Sequence, residues 1–323
     1  MILNVSGRTD IIAFYEPWFE NRYKAGFVDV RNPFNPTQVS RIMFSDVDAF
    51  VFCTKNPAPI MNFLPKIKQP FLFHITLTSY LSDIEPFVPK KTETIENIKK
   101  ISKMIGADNL YIRYDPVFLS NKYTLTYHLA AFDKLCSELE GFANHFIVSF
   151  IDLYLNVRKN EATLGFREFT EADYEAIGKG FSASARKHGQ TVQTCFEERN
   201  LTEFGFSGEE CISHQKAIEL TGKDFPEWTA RKQRLCHCVQ MVDIGEYNTC
   251  GHRCRYCYAN FAEDLINEQM RRHNPNSSLL IGELTEQDIV TVRKDNALKG
   301  KKTRKKKSDE DAQTSLLNNE RHD

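Results

Sequence analysis

Seven short apolar runs, separated by segments of helical periodicity, constrain the fold of this 323-residue chain more than any other feature. The runs are rich in β-branched and aromatic residues and cover 2–5, 49–53, 71–77, 110–114, 145–151, 191–196 and 239–244. Between them, apolar residues recur three or four positions apart, as at Ile95, Ile98 and Ile101. Strands that alternate with helices pair in parallel, because each helix returns the chain to the same end of the sheet. The sequence therefore predicts an α/β fold built on a parallel sheet.

Polar residues follow several of these predicted strands. Asp10, Lys55, Asp115 and Glu197 each come soon after an apolar run. In a (β/α) barrel the carboxyl ends of all strands meet at one mouth, where the active site is built. The number of strands and this pattern favour a parallel (β/α) barrel or partial barrel, with an open doubly wound sheet as the alternative.

Charge divides the chain into two parts. The net charge is −1, but seven of the nine residues 299–307 are basic, so the remainder of the chain is acidic. Residues 296–323 are polar and of low complexity, first basic and then acidic, which is typical of disordered segments. We expect one α/β domain over 1–295, with a cysteine-rich loop at 236–260, and a disordered tail over 296–323. Contact between the basic run and nucleic acid phosphates is the alternative role for the tail.

Composition also narrows the class of protein. No stretch reaches the roughly 18 uninterrupted apolar residues that a membrane helix needs. The first residues show no secretion leader, so we expect a cytoplasmic protein without membrane contact. Nine cysteines are an odd number, and the cytoplasm keeps thiols reduced. Metal binding is therefore favoured over a disulfide framework.

Cys250, Cys254 and Cys257 form the most specific motif, a C-x3-C-x2-C spacing directly after the last predicted strand. Three thiolates on one short loop can ligate three corners of a [4Fe–4S] cluster and leave the fourth iron open. A structural zinc ion normally takes four ligands, so zinc would need a further donor such as Cys236 or His252. The spacing favours an iron–sulfur cluster, with zinc as the alternative.

This loop, with Tyr256 before its last cysteine, resembles the cluster loop of the radical S-adenosylmethionine (radical SAM) enzymes. The chain outside its tail also resembles the uncharacterised bacterial family DUF1848, through motifs at 6–10, 31–36, 54–57, 243–247 and 250–260. The radical SAM resemblance implies that the open iron binds SAM and that an electron donor such as flavodoxin or ferredoxin reduces the cluster. It also implies a 5′-deoxyadenosyl radical that abstracts hydrogen from an unknown substrate.

The position of the loop departs from the radical SAM pattern, in which the cysteines follow the first strand. The amino-terminal half of this chain is similar to the later part of a spore photoproduct lyase-like radical SAM domain. The resemblance therefore implies a circular permutation, with 239–244 as the displaced first strand. It also places Ser6, Gly7, Arg8 and Asp10 on the SAM-binding side, although the Gly-Gly-Glu type of sequence found there in the family is missing.

Four further cysteines, Cys195, Cys211, Cys236 and Cys238, precede the motif in the second half of the chain. Four thiolates could hold a second cluster or a zinc ion. Free cysteines of an ordinary core are the alternative. His74 lies inside an apolar run, which is typical of a buried core histidine.

Two other functions remain open from the sequence alone. The chain could be a non-catalytic zinc or iron–sulfur module that binds nucleic acid through 299–307. It could also be a barrel hydrolase that binds a divalent metal ion with Asp10, Asp115 and Glu197.

Overall fold

The computed structural model of the protein describes residues 1–227 and 237–294. Several predictions therefore concern residues outside the described ranges. They are Cys236, the domain boundary at 295, the tail at 296–323 and the basic run 299–307 within it. None of the described helices is both long enough and apolar enough to cross a membrane.

Strands and helices alternate along the described chain. The strands are β1 (Ile2–Val5), β2 (Phe27–Asn32), β3 (Asn35–Met43), β4 (Ala49–Thr54), β5 (Phe71–Thr76), β6 (Leu110–Val117), β7 (Leu119–Ser120), β8 (His145–Phe150), β9 (Phe166–Arg167), β10 (Thr191–Thr194), β11 (Met241–Asp243) and β12 (Ile289–Val292). The α-helices are α1 (Ile11–Phe14), α2 (Glu16–Ala25), α3 (Lys91–Ile105), α4 (Leu125–Glu138), α5 (Leu155–Arg158), α6 (Glu161–Leu164), α7 (Glu171–Lys187), α8 (His214–Thr221) and α9 (Glu263–Arg272).

A seven-stranded parallel sheet lies at the centre, in the order β10-β8-β6-β5-β4-β1-β11. Each of the seven predicted runs forms one of these strands, so the prediction of a parallel α/β fold is confirmed. β1 pairs with β4 on one side and with β11 on the other, and Leu3 lies opposite both Phe50 and Val242. Within the described residues β10 and β11 do not pair, so hydrogen bonding leaves the sheet open between them and closes no barrel.

Helices α3, α4 and α7 connect successive strands of the sheet. The predicted apolar stripe of α3 is confirmed, because Ile95, Ile98 and Ile101 are buried. Thr170 and Asp173 form a capping box at the start of α7, which satisfies backbone N–H groups that the helix itself leaves unpaired. These local signals fix where the connecting helices begin and which face they bury.

Both faces of the sheet are covered, as expected for parallel strands. Alternate residues such as Phe73 and Ile112 belong to the larger core on one face. Leu72 and Tyr111 belong to a smaller core on the second face. Because side chains alternate along a strand, the second face continues toward the carboxyl ends of the strands with polar residues. These residues are Asn4, Cys53, His74, Arg113 and Asp115.

Two smaller sheets lie outside the central one. β12, β3 and β2 form a three-stranded sheet, and β7 pairs with β9. The Trp18 indole N–H donates to the carbonyls of Ser277 and Leu279 at 2.9 and 3.0 Å, which anchors the segment after α9. The predicted cysteine loop thus lies between two firmly packed elements, β11 and the α9 region.

Candidate metal centre

The cysteine loop leaves β11 at the carboxyl edge of the central sheet and carries three thiols. Cys250, Cys254 and Cys257 are partly exposed, and none of them forms a disulfide. Because β11 pairs in parallel with β1, the loop lies next to the segment 6–10 that follows β1. The three predicted cluster ligands are therefore on the same edge as the polar residues that end the other strands.

Asp10 ties this loop to the amino-terminal part of the sheet. Its Oδ2 lies 2.9 Å from His252 Nε2 and accepts a 2.7 Å hydrogen bond from the Lys55 backbone N–H. Its Oδ1 caps α1 by accepting from the Ala13 N–H at 3.0 Å. His252 Nδ1 lies 3.1 Å from the Phe87 carbonyl oxygen, which fixes the ring from its other side. Asp10 thus connects the histidine of the loop to the backbone after β4 and to the start of α1.

Ser6, Gly7 and Arg8 also lie beside the loop. The Gly7 carbonyl accepts a hydrogen bond from the Tyr258 hydroxyl. Arg8 donates from Nε to Asp243 Oδ2 and from Nη2 to the Asp243 carbonyl, both at 3.2 Å. The Ser6 hydroxyl is hydrogen-bonded within its own turn. The structure therefore brings the predicted SAM-side residues to the cysteine loop, with their side chains already engaged by protein partners.

Side-chain amides hold the backbone of the loop in place. Asn260 Nδ2 donates to the Cys250 carbonyl at 2.9 Å, and the buried Asn156 donates to the Cys257 carbonyl. Asn160, one turn after Asn156, donates to a further loop carbonyl at 2.7 Å. Since these carbonyls are satisfied by fixed side chains, the conformation of the loop is set by the protein before any metal binds.

Close packing leaves no room for a side chain at Gly251. A Cβ there would lie 2.6 Å from Phe14 Cε1, well inside van der Waals contact. The next residue before the motif, Thr249, is held by a 2.6 Å hydrogen bond from the Tyr15 hydroxyl to its carbonyl. The end of α1 and Tyr15, which joins it to α2, therefore supply the wall against which the loop is packed.

Burial and the neighbouring charges set the protonation state of the three thiols. Burial raises the pKa of the Cys254 thiol to about 12 and raises the pKa of the other two thiols of the motif. Negative charge on Cys257 and Glu85 also raises the pKa of Cys254, whereas the ammonium groups of Lys55 and Lys91 lower it. Without a metal the thiols are thus protonated at neutral pH, and metal binding would release their protons.

Glu85 is buried and joins the loop to the ends of β4 and β5. Its carboxylate accepts from Lys55 Nζ at 2.8 Å, from Thr78 Oγ1 at 2.7 Å, and from Lys91 Nζ and the Tyr256 hydroxyl. Burial alone would raise the pKa of Glu85, but the two ammonium groups outweigh it and hold the pKa at about 2. This network of charges fixes the ring of Tyr256, which precedes the last cysteine, and holds the Lys55 ammonium beside the thiols.

Three of the four further cysteines also come together, on the second face of the sheet. The Cys211 thiol is hydrogen-bonded to the thiols of Cys195 and Cys238. The Arg113 guanidinium donates to Cys211 Sγ at 3.8 Å and bonds Cys195 as well. The hydrogen bond with Cys211, followed by the charge of Arg113, lowers the pKa of Cys195 to about 7 despite its burial. The fourth predicted member, Cys236, lies outside the described residues.

His74 lies beside this group on β5 and is 3% exposed. Its ring is hydrogen-bonded to the backbone of Cys211. Within the described residues its Nε2 atom has no hydrogen-bond partner. Burial lowers the pKa of His74 to about 3, so the ring is neutral. The prediction of a buried strand histidine is confirmed, with one of its nitrogens unused.

The carboxylates of the predicted hydrolase site each have partners of their own. Asp10 is engaged as described above, and Asp115 accepts from Arg113 Nε at 2.9 Å. Glu197 Oε1 accepts from the Phe150 N–H at 2.9 Å, and burial raises the pKa of Glu197 to about 8. Nothing in these contacts directs the three carboxylates toward one shared ion.

Across residues 1–227 and 237–294, no three His, Cys, Asp or Glu side chains are already arranged to hold a metal ion. A [4Fe–4S] cluster has a different geometric requirement. Each of its thiolate ligands binds a different iron atom, so the sulfur atoms stand further apart than the ligands of one ion.

Several residues of the site escape the sequence analysis. Arg113 could have been found, because it alternates with Asp115 on the second face of β6. Asn156 and Asn160 show a four-residue spacing, but only the folded chain reveals that both face the loop. Lys91 carries no local signal, since it is one lysine among several at the start of α3.

Comparison with known proteins gives a family. The model of the family described as "Domain of unknown function (DUF1848)" matches residues 2–259, which include all seven central strands and the three cysteines of the motif. No match is found among the curated proteins. Since the match covers most of the chain, the protein belongs to the DUF1848 family.

Proposed function

We propose that this protein is an iron–sulfur enzyme of the radical SAM type, in which Cys250, Cys254 and Cys257 hold a [4Fe–4S] cluster. The observation that carries the proposal is the placement of these thiols. They lie on one preformed loop, at the carboxyl edge of a parallel sheet, beside the Lys55 ammonium and the segment 6–10. In α/β proteins this edge is where ligands bind.

The residues present fit a cluster with one open iron. Three thiolates would ligate three irons, and a backbone N–H already donates to Cys257 Sγ, from Ala259 at 3.4 Å. Lys55 and Lys91 offset the negative charge that cluster and thiolates carry together. When bound, such a cluster would supply the electron that cleaves SAM to a 5′-deoxyadenosyl radical, with a flavodoxin or ferredoxin as electron donor in the cytoplasm.

The order of the strands supports a permuted radical SAM architecture. When β11 is counted first, the sheet reads β11, β1, β4, β5, β6, β8 and β10, which is the order of the chain with its last strand moved to the front. The cysteine loop then follows the first strand, as the resemblance to radical SAM enzymes implies. The open sheet corresponds in this proposal to a partial barrel.

The protein's own groups would bind SAM and the substrate at this mouth. Ser6, Gly7 and Arg8 border the loop on the β1 side, and Asp10 holds His252 against it. On the other side the carboxyl end of β6 presents Asp115, held by Arg113. We propose that Ser6, Gly7 and Arg8 bind SAM, because the segment after β1 contacts the cysteine loop directly. We propose that the substrate binds near Asp115, at the carboxyl end of β6.

The experiment is anaerobic reconstitution of the full chain with iron and sulfide, followed by iron analysis and a visible spectrum. Dithionite and SAM are then added, and 5′-deoxyadenosine is quantified by chromatography. Cys254→Ala is the test variant, and Cys136→Ala is its matched control, because Cys136 is a buried core cysteine of α4. We expect colour, about four irons per chain and deoxyadenosine in the wild type and the control, and their loss in the test variant.

Two results would contradict the proposal. A colourless protein after reconstitution would exclude the cluster. A brown protein that forms no deoxyadenosine in the presence of reductant and SAM would leave an iron–sulfur protein but exclude the radical SAM reaction.

A further inference from the structure

Three thiols from separate segments converge on the second face of the sheet. Cys195 follows β10, Cys211 lies in the loop before α8, and Cys238 precedes β11. The Val239 N–H donates to the Ile212 carbonyl at 3.1 Å, which pins the last two segments together. The thiols of Cys195 and Cys238 both act on that of Cys211. On one tetrahedral zinc ion with Zn–S bonds of about 2.3 Å, two thiolates lie about 3.8 Å apart.

His74 offers a fourth donor atom. The His74 ring is hydrogen-bonded to the backbone of Cys211, and a neutral imidazole makes such a bond to a carbonyl oxygen with its protonated nitrogen. The remaining nitrogen, Nε2, is then an unprotonated acceptor, and it is buried without a hydrogen-bond partner among the described residues. An imidazole held by one N–H···O=C bond, with its other nitrogen available, has the form of a metal-binding histidine.

Arg113 supplies the charge that such a site needs. Three thiolates, one neutral imidazole and a zinc ion have a net charge of −1, and burial of an unpaired charge is costly. The Arg113 guanidinium bonds both Cys195 and Cys211. Donors to ligand sulfur atoms are the usual second layer around a thiolate-bound metal. Arg113 also pairs with Asp115, so its cation is shared between that carboxylate and the thiols.

From this convergence we propose that Cys195, Cys211, Cys238 and His74 bind one structural zinc ion. Three thiolates and one imidazole are a common donor set for structural zinc. In the described parts of the chain these thiols are hydrogen-bonded to one another, and no single-ion arrangement is present. Zinc would displace the thiol protons, and the side chains would turn toward the shared ion.

The zinc ion has a clear structural role. Cys195 lies at the end of β10, and Cys238 lies just before β11. These are the two edge strands, which do not pair with each other within the described sheet. The metal would connect the two edges where hydrogen bonds do not. This inference does not rest on the proposed radical SAM function, since it uses none of the loop thiols.

The test uses the full chain with all three loop cysteines replaced by alanine, so that the loop itself binds no metal. Zinc per chain is measured by mass spectrometry of the elements after purification without chelators. We expect about one zinc per chain, lost on further replacement Cys211→Ala and kept in the matched control Cys136→Ala. His74→Ala should weaken zinc retention against a competing chelator by at least about tenfold.

A second measurement covers the case in which Cys211→Ala fails to fold. Cobalt is exchanged into the loop variant with the four proposed ligands intact, and strong visible absorption from thiolate-bound tetrahedral cobalt supports the site. Three results would overturn the proposal. They are the absence of both zinc and cobalt binding, an iron–sulfur spectrum from the loop variant, and a Cys195–Cys211 disulfide in protein purified from cells. Because the loop thiols are absent, none of these outcomes depends on whether the radical SAM reaction occurs.

Discussion

Glu85→Gln removes the negative charge that pairs with Lys55 and Lys91 beside the cysteine loop. The Glu85 side chain is 1% exposed, and that of Lys55 is 13% exposed, so neither charge is well solvated. Lys91, at 29%, can turn toward water when its partner is lost. The Glu85→Gln variant therefore leaves one lysine buried without a counter-charge, while the volume of the side chain is nearly unchanged.

The size of the effect follows from the pKa. The pKa of Glu85 is about 2 in the folded protein, against an ordinary value of 4.5. That depression corresponds to about 3 kcal/mol of folding free energy at neutral pH. The loss of one partner from a buried ion pair costs about 3–5 kcal/mol. The value from the pKa lies at the lower end of this range, because Lys91 can turn toward solvent when its partner is lost. Because the folded pKa is the lower one, the stabilisation is complete above about pH 5 and is lost as the pH falls through about 2.

The assay is urea unfolding followed by circular dichroism at two pH values, with wild type and variants at equal metal content. We expect Glu85→Gln to lose about 3 kcal/mol near neutral pH and less than half of that at about pH 3. The control is Glu96→Gln, because Glu96 is 64% exposed and pairs with Lys99 on the surface of α3 at 3.3 Å. It should cost less than about 0.5 kcal/mol.

Two outcomes would refute this reasoning. A loss below about 1 kcal/mol near neutral pH would mean that the network contributes no more than an ordinary surface pair. An equal loss at both pH values would mean that Glu85 acts through packing and hydrogen-bond shape, since a charge effect must fade as the carboxylate is protonated.

Three further substitutions test the packing of the loop and of the core. Gly251→Ala places a Cβ 2.6 Å from Phe14, so we expect a loss of about 1–3 kcal/mol and less bound iron, measured by urea unfolding and iron analysis. Tyr15→Phe removes the 2.6 Å hydrogen bond to the Thr249 carbonyl and leaves that buried acceptor unpaired, which should cost about 1–3 kcal/mol in the same unfolding assay. Phe132→Ala removes a ring stacked at 3.9 Å in the main core and should cost about 3–5 kcal/mol, with iron per folded chain unchanged.

Each of these predictions has a check. Gly208→Ala should be neutral, because its Cβ would meet nothing nearer than Thr202 at 3.8 Å. Phe34→Ala should be neutral as well, because Phe34 is 93% exposed. Unchanged stability in Tyr15→Phe would show that water satisfies the Thr249 carbonyl. Loss of iron in Phe132→Ala would show that the core and the loop are coupled, contrary to expectation.

The elements of the fold and the main motif could be predicted from the amino-acid sequence. All seven central strands are visible as apolar runs, because a parallel strand buried on both faces needs continuous apolar residues. The stripe of α3 is visible, because a helix repeats every 3.6 residues. The three loop cysteines are visible as a spacing. In each case the physical cause acts between residues close together in the chain, so the pattern is local.

Only the tertiary structure decided which of these elements meet. It places β11 beside β1 at the edge of an open sheet, brings Glu85 and Lys91 to the cysteine loop, and joins Cys211 to Cys195 and Cys238. The partners concerned are tens to hundreds of positions apart along the chain. Their contacts arise from the order of the strands in the sheet and from the burial of oppositely charged groups that form ion pairs. Neither cause leaves a periodic or local mark. From the sequence, the grouping of Cys195, Cys211 and Cys238 and the place of 239–244 as the displaced first strand were therefore hypotheses, and the partners of Glu85 were not predicted.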